Sequence, residues 1–123
     1  MPEEKTRPIT KRTLPPELKL AVKASLAKKA QDVVVLVLGE LSSFTDYFLV
    51  VSGTSSRQNA AVSEGIEDDL RKAGTRPLSV EGRESADWIL MDYGSFVVHV
   101  FSAKAREHYS LEKLWGDAPH LDY

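Results

Sequence analysis

Trp88-Ile89-Leu90-Met91-Asp92-Tyr93-Gly94-Ser95-Phe96-Val97-Val98-His99-Val100-Phe101 is the stretch that decides the fold of this chain. Two apolar runs meet at Asp92-Tyr93-Gly94-Ser95, residues that favour a chain reversal, so the stretch reads as a β-hairpin. Side chains alternate across a strand. Trp88, Leu90 and Asp92 therefore share one face of the first strand, and Ile89, Met91 and Tyr93 the other. On the second strand Phe96, Val98 and Val100 oppose Val97, His99 and Phe101. Both faces are largely apolar, interrupted by a single Asp and a single His.

Downstream, Lys104 to Tyr109 reads as a short helix and Leu111 to Trp115 as a further helical turn. Trp and Tyr bury large areas at modest entropy cost, which is why they recur at binding hot spots. Ile89, Phe96 and Val98 are read as core. For Trp88, Tyr109, Leu114 and Trp115 the sequence does not separate core from interface.

Upstream, Val33 to Gly39 is continuously apolar and β-branched, the pattern of a strand covered on both faces. Glu40 to Thr45 is a polar connection, and Asp46 to Gly53 a second strand. Before them, Pro15-Pro16-Glu17 opens a helix whose stripe is Leu18, Val22 and Leu26, ending near Ala30-Gln31. After them, Ser55 and Gln58 form a capping box for a helix with Val62, Ile66 and Leu70 inward and Gly74 as its stop. Pro77 to Val80 is a short third strand, and proline at its start, which cannot donate to a ladder, marks an edge or an entry point. The expected architecture is α/β: one small domain with a mixed five-stranded sheet flanked by helices. Residues 1–13, rich in Lys, Arg, Glu, Pro and Thr, read as a flexible leader, and 120–123 as a C-terminal tail.

The length of 123 residues suits one domain. Cysteine is absent, which excludes disulfides, thiolate metal sites and cysteine nucleophiles and points to a reducing, cytoplasmic setting. No apolar run approaches the ~20 residues of a membrane span. Net charge is -2 but unevenly placed. Residues 1–32 carry eight basic and four acidic side chains, whereas 33–123 carry eight basic and fourteen acidic. An acidic body disfavours direct nucleic-acid binding and suits a basic protein partner.

Catalytic patterns are missing. Gly53-Thr54-Ser55-Ser56 links a strand to a helix and could hold a phosphate, like the opening of a nucleotidyltransferase fold. That chemistry needs paired carboxylates on neighbouring strands to hold metal ions, and no strand supplies an Asp-x-Asp or Asp-x-Glu pair. His99, His108 and His120 lack metal-ligand spacing. No nucleophile, base and oxyanion donor assemble. The reading is a protein that is not an enzyme, without metal or cofactor.

Against that background the chain resembles the Iojap-like family, whose bacterial members are ribosomal silencing factors. The resemblance runs from Leu26 to Pro119. It rests on Lys28-Lys29-Ala30, Asp46-Tyr47-Phe48, Gly53-Thr54-Ser55-Ser56, Glu81-Gly82 and Trp88. It continues through Asp92-Tyr93-Gly94, Val97-Val98-His99-Val100-Phe101, Arg106-x-x-Tyr109 and Leu111-Glu112-Lys113-Leu114-Trp115-Gly116-Asp117-Ala118. It places an Iojap-like domain at residues 14–119.

The resemblance implies a reduced nucleotidyltransferase-like fold without its catalytic carboxylates. It implies binding to the large ribosomal subunit through ribosomal protein L-fourteen, steric blocking of small-subunit joining, and lowered translation when nutrients are scarce. Organelle relatives imply a large-subunit assembly role as the alternative, and a residual nucleotide-binding protein is a second. A monomer or a homodimer fits either. Trp88, Asp92, His99, Phe101, Glu107, Tyr109, Leu114 and Trp115 lie at positions the family pattern marks. They are the candidate docking residues, with Trp88 and Trp115 as anchors and Asp92 and Glu107 facing lysine or arginine.

Overall fold

The computed structural model describes residues 9–123. Its elements are α1 (Pro16–Ala27), β1 (Gln31–Val37), β2 (Tyr47–Gly53), α2 (Ser56–Lys72), β3 (Ser79–Glu81), β4 (Trp88–Asp92), β5 (Phe96–Ser102), α3 (Ala103–Tyr109), α4 (Leu111–Leu114) and β6 (His120–Asp122). The strands form one sheet in the order β3-β4-β5-β2-β1-β6. β2 and β5 run parallel, and every other neighbouring pair is antiparallel. The sheet is mixed, as expected.

It has six strands where the sequence pattern gave five. His120–Asp122, expected as a tail, pairs with the outer edge of β1, with Leu121 opposite Val35. Three residues are too few to show a period of two, so only the neighbouring edge makes this segment a strand. Of the expected leader, Met1–Pro8 lie outside the described residues. Lys11–Thr13 form a single 3-10 turn, with Thr10 and Thr13 bonded to each other at 3.0 Å.

The hairpin forms as its alternation requires. Trp88 faces Phe101, Leu90 faces His99 and Asp92 faces Val97. Gly94 turns the chain at φ +86°, a conformation that only glycine adopts without strain, and its N–H donates to Asp92 Oδ1 at 2.8 Å. β3 is the outer edge strand beyond it, the first of the two places its proline allowed.

One face of the sheet lies under α1 and α2. Val33, Val35, Leu49, Val51, Ile89, Met91, Val98 and Val100 project there and meet Leu18, Val22, Val62, Ile66 and Leu70. Each fully buried aliphatic side chain contributes roughly 1.5–3 kcal/mol, so this layer supplies most of the stability. Leu26 does not join it. α1 buries Leu18, Ala21, Val22 and Ser25, a stripe turned away from Leu26, which stays 45% exposed. α1 also stops earlier than its lysines implied. Lys29 takes φ +63°, and the N–H groups of Lys29 and Ala30 return to Leu26 and Ser25. That Schellman closure ends the helix at Ala27. α2 ends in the same way, with Gly74 at φ +92°.

A candidate docking groove on the open face of the sheet

The opposite face carries Val34, Leu36, Phe48, Val50, Val97 and Phe101, with Trp88 and Leu90 packed against them. Among the described residues no long helix covers it. α3 and α4 lie over part of it, contributing Ala105, Leu111 and Trp115, with Ala118 just beyond. Ser102 starts α3 by accepting from the Ala105 N–H at 3.1 Å. Ser110, at φ +48°, turns the chain from α3 into α4.

Arg106 fixes both helices to the sheet. Its Nε and Nη2 donate to the two carboxylate oxygens of Glu112 at 3.2 and 2.7 Å, and its Nη1 donates to Ser52 Oγ on β2 at 2.9 Å. Such bidentate, charge-assisted contacts are strong because the guanidinium fork matches the carboxylate. Arg106→Ala is expected to cost about 2 kcal/mol. Hydrogen exchange should then quicken first in residues 103–118 while β5 stays protected; uniform loss of protection would refute the clamp.

Between the α4 side and the hairpin lies an open apolar groove of about 360 Å³. Its walls are Phe44, Phe48, Trp88, Leu90, Asp92, Val97, His99, Leu111 and Trp115. Four of the eight candidate residues therefore meet in one place: Trp88, Asp92, His99 and Trp115. Trp88 is half-buried. Its indole stacks on Phe101 at 5.2 Å, touches Tyr109 at 4.4 Å, and donates from Nε1 to His99 Nδ1 at 3.0 Å. Trp115 meets Phe48 edge to face at 5.9 Å. Asp92 lines the groove with one carboxylate oxygen already engaged by the turn.

His99 sits on β5 at 3% exposure, with its ring edge to face against Phe48 at 4.4 Å. Burial pushes its pKa down to about 3, so the ring is neutral at physiological pH. With Nδ1 accepting from Trp88, the proton belongs on Nε2, which has no partner among the described residues.

The other four candidates lie outside the groove lining. Phe101 has no exposed surface, so it supports Trp88 from beneath and has no face to offer a partner. Tyr109 is 47% exposed on the far side of Trp88. Glu107 and Leu114 point to solvent from α3 and α4. Sequence reasoning missed Phe44, Phe48 and Leu90. Leu90 was visible by alternation beside Trp88. Phe44 is 64% exposed within the connection read as merely polar, and its ring lies 6.3 Å from that of Phe48.

The Gly53–Ser56 turn is built as a helix cap. Ser55 Oγ accepts from the Gln58 N–H at 3.1 Å. Gln58 Oε1 returns to Thr54, taking its N–H at 2.6 Å and its hydroxyl at 2.9 Å. The capping box thus closes on Thr54, one residue before the expected partner, and occupies an amide that a phosphate would use. A Cβ on Gly53 would stand 2.1 Å from Asn59 Oδ1, so this glycine serves close packing. Among the described residues no group of three or more His, Asp or Glu side chains could hold a metal ion. Among the same described residues no helix is long and apolar enough to cross a membrane.

Comparison with known proteins agrees with this architecture. A family model described as "Ribosomal silencing factor during starvation" matches residues 11–123. A ribosomal silencing factor RsfS of Bacillus subtilis is 42% identical over 105 residues, covering 85% of this chain and 89% of that protein. A mouse protein named for mitochondrial assembly of the ribosomal large subunit is 34% identical, covering 72% of this chain and 40% of its own length. A crystal structure from Chromobacterium violaceum superposes with a TM-score of 0.79 at 36% identity, covering 81% of this chain and 83% of the other. Another from Bacillus halodurans gives 0.76 at 39% identity, covering 86% and 96%. With its mixed sheet, two-helix layer and open aromatic face, this chain belongs to the ribosomal silencing factor RsfS family.

Proposed function

We propose that this chain represses translation by binding the large ribosomal subunit through its aromatic groove. It docks on ribosomal protein L-fourteen and blocks small-subunit joining by steric occlusion. The observation that carries this reading is the groove between Trp88 and Trp115, an apolar surface that the chain's own helices leave uncovered. Monomeric proteins rarely leave a contiguous apolar cleft open without a use for it. The charge balance supports a basic partner, since residues 33–123 carry six more acidic than basic side chains. The mechanism involves no bond-making, and its cytoplasmic setting follows from the target. Trp88 and Trp115 act as anchors, while Asp92 and Glu107 face cations. Phe101 and His99 hold Trp88 in place.

The test is co-sedimentation with separated large subunits, paired with a subunit-joining readout. Trp88→Ala is expected to weaken binding by about 2 kcal/mol, roughly thirtyfold, and to relieve the block on joining. Its far-ultraviolet circular dichroism should stay that of the parent. Unchanged co-sedimentation would remove the groove from the docking surface. The name of the mouse relative favours a second reading, a role in large-subunit assembly. Preferential binding to immature over mature large subunits would select it.

A further inference from the structure

The unevenness of charge along the sequence becomes a separation in space. Lys11, Arg12, Lys19 and Lys23 surround a cleft of about 410 Å³ beside α1, floored by Val22, Leu26 and the ring of Tyr123. This cleft is remote from the docking groove, because α1 packs in the helix layer on the other face of the sheet. Lys19 and Lys23 are one helical turn apart, so both cations project over the same floor. Lys11 stands 4.3 Å from the centroid of the Tyr123 ring, and Lys19 Nζ donates to the Arg12 carbonyl at 3.0 Å. The 3-10 turn is thereby held against the helix. No Asp or Glu side chain lines the cleft among the described residues. Asp32 and Asp122 lie beyond Tyr123, in a neighbouring cleft with Arg106 and Glu112.

We propose that this cleft is a second contact site, for an unpaired segment of RNA, independent of sequence. Phosphates lie against Lys11, Arg12, Lys19 and Lys23, and a base rests on the floor formed by Tyr123, Val22 and Leu26. Two features select this occupant. Four cations with no Asp or Glu side chain among the described lining residues match a polyanion, since each neutralised phosphate releases condensed counterions. The exposed Leu26 and Tyr123, a residue 40% exposed, give a base an apolar platform once the Lys11 ammonium passes from the Tyr123 ring to a phosphate, as in grooves that hold single strands without reading sequence. A purely electrostatic surface for a folded acidic protein would not need that floor. The stripe position expected of Leu26 acquires a role here: it is left out of the core and borders the cations.

The experiment is fluorescence anisotropy of the full chain with a labelled single-stranded RNA of mixed sequence, over a range of salt. Four phosphate contacts predict a slope of log K against log salt of about −3. Lys19→Gln with Lys23→Gln should halve that slope and weaken binding at low salt by tenfold or more. Tyr123→Ala should weaken binding about tenfold with the slope unchanged, because stacking releases no counterions. Trp88→Ala should bind RNA like the parent, which separates this site from the groove: either can fail alone. Equal affinity of parent and double lysine variant overturns the proposal. So does competition by free nucleoside triphosphate as effective as that by RNA, which would assign the cleft to a small nucleotide.

Discussion

Phe101→Ala is expected to destabilise the fold by about 3–5 kcal/mol, the range for emptying a fully buried aromatic position. Phe101 has no exposed surface and lies between the strand layer and the aromatic cover. Its ring stacks with Trp88 at 5.2 Å, with His99 at 5.9 Å and with Tyr109 at 6.2 Å. Trp88 is also its register partner across the hairpin. Removing the ring forfeits its burial and leaves a void that Trp88 fills only by breaking its bond to His99. The loss therefore has two readouts. Urea denaturation should show a lower midpoint with a similar slope, and the folded variant should co-sediment poorly with large subunits because Trp88 is no longer held. Phe101→Leu, which keeps most of the volume, should cost far less and retain docking. A stability loss below about 1 kcal/mol in the alanine variant would mean that the site collapses freely, and the idea of Phe101 as a rigid support would be abandoned.

Most of the frame was legible because it rests on short-range patterns. Alternation along Trp88–Phe101 gave the facing residues, and the register pairs Trp88 with Phe101 and Leu90 with His99. The spacing of Val62, Ile66 and Leu70 gave the buried face of α2, and all three are fully buried. What was not legible depends on neighbours distant in sequence. β6 exists because the edge of β1 is free to pair, and nothing in His120-Leu121-Asp122 shows that edge. Leu26 reads as core by spacing, yet the Schellman closure at Lys29 and the approach of α2 turn the helix away from it. That approach is close, since a Cβ on Gly65 would stand 2.9 Å from the Lys28 side chain.

The groove shows the same division. Its Trp88 wall belongs to the hairpin and was found from the sequence. Its Phe48 wall arrives through the parallel pairing of β2 with β5, a long-range contact that local composition does not encode. Arg106 was visible only as part of a family pattern. Its bonds to Ser52 and Glu112 explain why an arginine is needed there: a lysine could not make the two-pronged contact to Glu112 while reaching Ser52. Of the eight candidates, burial divides the aromatics into support (Phe101) and wall (Trp88, Trp115), a distinction that composition could not make.

Acidification should destabilise this fold through His99. In the folded chain burial holds its pKa at about 3, against an ordinary value of 6.5. The neutral ring is the form the fold accommodates, because Nδ1 must accept from the Trp88 indole N–H. Between those two values the unfolded chain binds a proton that the folded chain does not. Stability therefore is fully present above pH 6.5 and falls as the pH drops toward 3. The slope approaches 1.4 kcal/mol per pH unit once the unfolded histidine is fully protonated, so a descent to pH 4.5 costs roughly 2–3 kcal/mol. The contribution of every other group is removed by comparison with a variant. His99→Gln keeps an acceptor for Trp88 and has no charge to gain. Urea denaturation of both chains from pH 7.5 to 4.5 should show the parent losing stability faster, with the two curves converging as the pH falls. In the folded chain the ring stays neutral until the pH nears 3, so over this range Trp88 keeps its bond to Nδ1 and the groove keeps its floor. Co-sedimentation with large subunits should then fall on acidification only in step with the unfolded fraction, sooner in the parent than in His99→Gln. Parallel stability curves for the two chains would show that His99 accepts its proton in the fold, and the bond to Trp88 would have to be reassigned.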